Sequence, residues 1–396
     1  MKKHHAFLLS ILSSVIGYSQ SVTKTMLRLP DTGQNISYTS TFGEDNDFNI
    51  NIPYFLINGD GTVTDTISGL MWQQTDGGEM TIENAVIYCS TLTLAGYSDW
   101  RLPNTHESFS ILNHQNVNPS LDNTVFPTSL AEYWWTSDRQ PNDSSKVWVT
   151  NGGGGVGNHP KTETLSAGGP KHFHTRAVRD IYPTTIIANH FSDNLNGTIT
   201  DNITNLIWQK KSMNDSLTWE DALVKADTMI LGGYSDWRLP NIKELQSINV
   251  EQIMNPSIIT TYFTNIGINK VWSSTTLPNQ ITKAWYLDTK YGVTTYQTKT
   301  SKQKVLFVRS NQNIITNLKG NFVLNESNYA IPNPFTSTIK LPKNLENTST
   351  ILINNLGEII FSGQQIQMQD FFNLPKGIYS LKILGETIIT IKMIKE

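Results

Sequence analysis

The segment GYSDWRLPN stands at Gly96–Asn104 and again, unchanged, at Gly233–Asn241. It sits inside a larger duplication. Shifting the chain on itself by 136 or 137 residues lays nearly everything from Phe55 to Arg179 over a second copy. GTVTDTISGLMWQQ (61–74) falls on GTITDNITNLIWQK (197–210), and Asn118-Pro119, Phe126, Trp135, Trp148 and Val178-Arg179 fall on Asn255-Pro256, Phe263, Trp272, Trp285 and Val308-Arg309. The register slips before the last pair, which places an insertion of the first copy around NGGGGVGNHPK (151–161). A chain repeated in this way must fold as two similar units. Each copy reads as a glycine-turned hairpin, a helix opened by Thr81 or Thr218, the nine-residue motif, a second helix and short strands, which predicts α+β domains.

The flanks differ in character. Lys2 and Lys3, the apolar stretch Ala6–Ile16 and Ser19-Gln20 read as an export signal over residues 1–20. Residues 21–54 are expected to pack on the first repeat (55–180), followed by the second repeat (181–310), a linker (311–324) and, over 325–396, alternating short strands that predict a small all-β sandwich. No other stretch approaches the ~20 apolar residues of a membrane-spanning helix, so a transporter or channel is not expected. Without Lys2 and Lys3, 28 of the 30 basic residues remain against 33 acidic ones, with no basic run; nucleic acid is therefore not an expected partner.

Inside the motif, every part has a structural reading. Asn104 with Glu107, and Asn241 with Glu244, have the spacing of a reciprocal helix cap worth about 1 kcal/mol. Pro103 and Pro240 keep the preceding leucine extended. Trp100 and Trp237 are of core size, while Asp99 and Arg101, like Asp236 and Arg238, would share one face of an extended segment and could pair or link to a neighbouring strand. Eight of the ten tryptophans form matched pairs. The unmatched Trp134 and Trp219 are the aromatic candidates for contact with a sugar ring, an edge-of-core role being the competing reading, and Lys210-Lys211 supply adjacent charge.

LPDTGQNISYTSTFGEDNDF (29–48), NGDGTVTDTISGLMWQQ and GYSDWRLPN together resemble the Lcl C-terminal domain family over roughly Leu29–Ser310. The resemblance implies an extracellular adhesin-like role; the family's named member binds sulfated glycosaminoglycans. WRLPN is also similar to an element of formylglycine-generating-enzyme and C-type-lectin-like folds, which implies that architecture for both repeats. NYAIPNPFTSTI, LINNLGEII and LPKGIYSLKI ahead of KMIKE resemble a type IX secretion C-terminal sorting domain, implying the type IX machinery as a partner and release or attachment at the cell surface.

No catalytic residue is assigned. The single cysteine, Cys89, lies in a helical apolar pattern and is replaced by Ala226 in the second copy, so the cysteine pair of the oxidase branch cannot form. His159, His172 and His174 do not recur, and Lys304 takes the place of His174, so no metal site is predicted. The turns before Gly61 and Gly197 begin with Leu56 and Ser192 where a calcium loop starts with a carboxylate; calcium bound elsewhere, as in some C-type-lectin-like folds, stays open. The first copy holds 7 basic and 13 acidic residues and the second 12 and 10, so a sulfated polymer would favour the second. The expectation is an exported, non-enzymatic binding protein for a glycan or a surface protein, duplication adding avidity. A secreted polysaccharide-acting enzyme and a surface protein without ligand are the alternatives.

Overall fold

The computed structural model describes residues 21–48, 50–127, 132–162, 165–166, 169–170, 173–311, 334–341, 345–354, 359–384 and 388–396. The export signal, His172 and all but Asn311 of the linker lie outside them. The chain divides into a unit over residues 1–312 and one over 313–396.

The first repeat runs β1 (Phe55–Ile57), β2 (Thr62–Asp65), β3 (Leu70–Gln73), α1 (Ile82–Thr91), α2 (Thr105–Ser110), β4 (Tyr133–Arg139), β5 (Lys146–Asn151), β6 (Val156–Pro160), β7 (Phe173–His174) and β8 (Val178–Asp180). The second runs β9 (Phe191–Asp193), β10 (Thr198–Asp201), β11 (Leu206–Gln209), α3 (Trp219–Asp227), α4 (Ile242–Ser247), β12 (Lys270–Thr276), β13 (Lys283–Asp288), β14 (Val293–Thr298) and β15 (Val308–Ser310). The unit is mostly β rather than evenly α+β, because its α-helices are short single stripes. In α1, Thr81 accepts from Asn84 N, Ile82, Ala85 and Cys89 are buried one helical turn apart, and the backbone is extended again at Leu92.

The repeats are not separate beads. Each keeps its own four-stranded sheet, in the orders β8-β3-β2-β1 and β9-β10-β11-β15, but β4–β7 and β12–β14 form one seven-stranded sheet ordered β7-β4-β5-β6-β14-β13-β12. The two halves meet at β6 and β14, antiparallel, where Val156 lies opposite Thr294 and its N–H donates to Thr294 Oγ1 at 2.7 Å. One core crosses this seam: Trp72, Phe109 and Trp148 of the first repeat pack in the same cluster as Ile242, Leu277 and Trp285 of the second. Burial of that size holds the halves as one folding unit.

Two boundary expectations change. The glycine run is a tight turn between β5 and β6, not the insertion; the extra residues of the first copy lie between β6 and β7, where Leu165–Ser166 pairs with Gly169–Pro170. The N-terminal segment packs on both repeats rather than on the first. It donates from Leu27 N to Ser68 O and accepts from His114 N at Thr32 O, but its buried acids face the second repeat. Asp45 takes Thr275 Oγ1 at 2.5 Å, Glu44 takes Thr276 Oγ1 at 2.6 Å, and the Gln34 amide pairs with the backbone of Thr276.

The C-terminal unit is one four-stranded antiparallel sheet built of β16 (Ser349–Asn354), β17 (Ile359–Gly363), β18 (Gly377–Leu384) and β19 (Ile388–Lys395), ordered β17-β16-β18-β19. Phe335, Leu352, Ile366, Phe371, Tyr379, Leu381 and Met393 form its core. The second sheet of the expected sandwich is not among the described residues.

Candidate functional site

The repeated motif is a clasp. Trp100 and Trp237 are buried, and Asn104 with Glu107 and Asn241 with Glu244 form complete capping boxes on α2 and α4. Asp99 and Arg101 do not pair with each other. Asp99 takes the Arg179 guanidinium at 2.7 Å, while Arg101 grips Glu107 at 2.6 Å and Asp180 at 2.8 Å. Backbone bonds between Arg101 and Val178 stitch the motif to β8. The second copy repeats this with Arg309 on Asp236 and Arg238 on Glu244, both at 2.6 Å. Arg179 and Arg309 also lie 3.8 Å from the rings of Tyr97 and Tyr234. The recurring Val-Arg of 178–179 and 308–309 was the sequence signal for these partners. Asp180 has Ser310 as its counterpart; near Arg238, Asp31 and Asp45 of the N-terminal segment supply the further negative charge.

The four predicted ligand residues do not meet. Trp134 is 5% exposed and Trp219 fully buried, so neither offers a face to a sugar. Both correspond to aliphatic core positions of the other copy, Val271 and Ile82; Trp219 donates Nε1 to Ser273 O and carries Lys299 Nζ 3.7 Å over its ring. Lys210 is held by Asp193 at 2.5 Å, leaving Lys211 exposed. Cys89 is buried, which pushes its thiol up to about 12. His174 contacts Asp76 at 3.1 Å, and among the described residues no three His, Cys, Asp or Glu side chains gather as metal ligands.

Two cavities join the repeats. The first, about 490 Å³, lies between α2 and α4 under the strand Val22–Lys24. Its charged groups largely serve one another. Burial opposes a charge on His106, but Glu251 at 3.0 Å, helped by Asp138, outweighs it and raises His106 to about 9. Burial and Glu251 raise Asp138, which accepts Thr105 N at 2.7 Å. Lys243, counterpart of His106, is lowered to about 8 by burial and donates to Asp31 O and Ser110 O. This cleft is a joint.

The second is an open groove of about 520 Å³ on the β6–β14 seam. Asn118, Glu132, Tyr133, Asn151 and the glycine turn line one side; Asn279, Gln280, Trp285, Thr295 and Tyr296 line the other. Asn151 Oδ1 accepts from Gly153 N at 3.0 Å and Gly155 N at 3.1 Å, fixing the turn. Gly154 has φ +96°, and a Cβ there would stand 2.8 Å from Ser120 Oγ and 3.4 Å from the Trp285 ring, so glycine is required. Tyr296 is 38% exposed and sits edge-on to Trp285 at 5.5 Å. Among the described residues, the side chains of Asn118, Asn279, Gln280 and Thr295 make no hydrogen bond. Unlike the cleft, the groove has polar groups to spare. No single copy signals it in the sequence, because its members come from both copies and several of them, Glu132, Tyr133 and Tyr296 among them, differ from their counterparts.

Residues 61–179 and 197–309 each match the Lcl C-terminal domain, and residues 329–396 match a secretion system C-terminal sorting domain. No curated protein and no solved structure matches the chain. The sorting domain indicates type IX secretion and outer-surface attachment. Among the described residues no helix is long and apolar enough to cross a membrane. With two tandem copies over more than half its length, the chain belongs to the Lcl C-terminal domain family.

Proposed function

We propose that this protein is a non-enzymatic, surface-displayed binding protein, adhesin-like or lectin-like, that holds an extracellular glycan in the seam groove. The observation that carries this reading is the groove itself: unengaged carboxamides and a hydroxyl beside a half-exposed tyrosine ring, the combination that reads sugar hydroxyls and covers an apolar sugar face. A C-type-lectin-like architecture for each repeat is part of the proposal, supported by short helices laid on a largely antiparallel sheet. The cleft's carboxylates speak against hydrolysis there, since Glu251 pairs with His106 and Asp138 caps α2.

A glycan array run beside a hydrolase substrate panel on the full mature chain, with and without EDTA, tests the reading and the open calcium question together. Retained glycan without turnover is expected. Turnover without retained binding, or retention of surface proteins and no glycan, refutes it.

A further inference from the structure

Resting on the groove as the binding site, we infer that the ligand is an uncharged glycan, read by one composite site per chain, and not a sulfated polymer bound once by each repeat.

Charge carries the first half. Among the described residues, Glu132 is the only ionised side chain lining the groove; Lys283, whose Nζ lies 5.1 Å from the centre of the Tyr296 ring, is not among the lining residues. Of the twelve basic residues in the second repeat, five are held by carboxylates or backbone carbonyls away from the groove. Lys210 is on Asp193, Arg238 on Glu244 and Arg309 on Asp236. Lys304 donates to the carbonyls of Met213 and Asn214, and Lys243 is buried on two more carbonyls. A sulfate ester needs several unpaired cations at close range, and a groove holding a carboxylate would repel it. Carboxamides and hydroxyls instead match ligands that both donate and accept without charge.

Symmetry carries the second half. If each repeat bore its own site, the residues would recur at the 137-residue shift. Only some do: Asn118, Asn279 and Trp285 recur as Asn255, Asn142 and Trp148, but Glu132, Tyr133 and Tyr296 correspond to Asn269, Lys270 and His159. The groove also needs both copies at once, since the glycine turn and Asn118 come from the first and Asn279 to Tyr296 from the second. Duplication has made one site from two unequal halves, so the avidity of two equal sites does not apply.

Isothermal titration of the full mature chain with neutral cello-, xylo- and chito-oligosaccharides, and separately with heparin, decides it. The expected result is one neutral oligosaccharide per chain, weakened about tenfold or more by Tyr296→Ala and by Asn279→Ala with Gln280→Ala, and unaffected by Lys211→Glu. Circular dichroism melts of the exposed-site variants separate lost binding from lost folding. Heparin binding that Lys211→Glu abolishes would overturn the inference while leaving a glycan-binding protein; two neutral ligands per chain would overturn the single composite site. Binding to no glycan at all would overturn the underlying reading itself.

Discussion

Replacing His106 by glutamine keeps a polar group beside Glu251 but removes its titration, and the consequence can be worked through in sign and size. Folded His106 is raised to about 9 from an ordinary value of 6.5. Its contribution to stability is therefore complete below about pH 6.5 and is lost as the pH rises through about 9. A gap of that size is worth at most ~3 kcal/mol at about 1.36 kcal/mol per unit. His106 is 26% exposed, and solvent screening reduces this to about 1–2 kcal/mol. For a domain of this size that is roughly 3–6 °C in Tm. Lys243 works in the opposite direction: its value of about 8, lowered from 10.5, makes stability rise with pH across that interval. The quantity to measure is thus the Tm difference between wild type and His106→Gln, by circular dichroism, at pH 6 and pH 10. The difference should be several degrees at pH 6 and shrink towards zero at pH 10. An equal difference at both values would refute the charged pair between the repeats.

Asp45→Ala should cost about 2–3 kcal/mol, because Thr32 and Thr275 lose their shared buried acceptor, and a thermal melt of the variant checks it. Asp31, raised to about 6 chiefly by burial, should make the wild type less stable as pH rises from about 4 to 6, an effect that Asp31→Asn should flatten in urea titrations. Cys89 should resist a thiol reagent until the unit unfolds, which a time course with and without denaturant would show. Deleting residues 329–396 should leave the protein in the periplasm, as cell fractionation would reveal.

What could be read from the letters was what both copies must share. A capping asparagine three residues before its glutamate, a proline that holds an extended joint and a tryptophan too large for the surface are local demands, and the backbone meets them in the same way at Asn104 and Asn241. The arrangement of the copies was a different kind of fact. That β6 and β14 would pair edge to edge depends on which strand edge each half leaves open, and an open edge is a property of the folded sheet rather than of any residue. The same limit hid the groove. Matching copies rewards positions that stay equal, and so it drew attention to the clasp and, by contrast, to two unmatched tryptophans that the core had claimed. A site formed across a seam draws on positions freed from their counterparts, as Tyr296 was from His159 and Glu132 from Asn269. The groove thus combines both kinds of position, Asn118, Asn279 and Trp285 keeping their counterparts and Tyr296 and Glu132 parted from theirs, and it exists only where the two copies face one another.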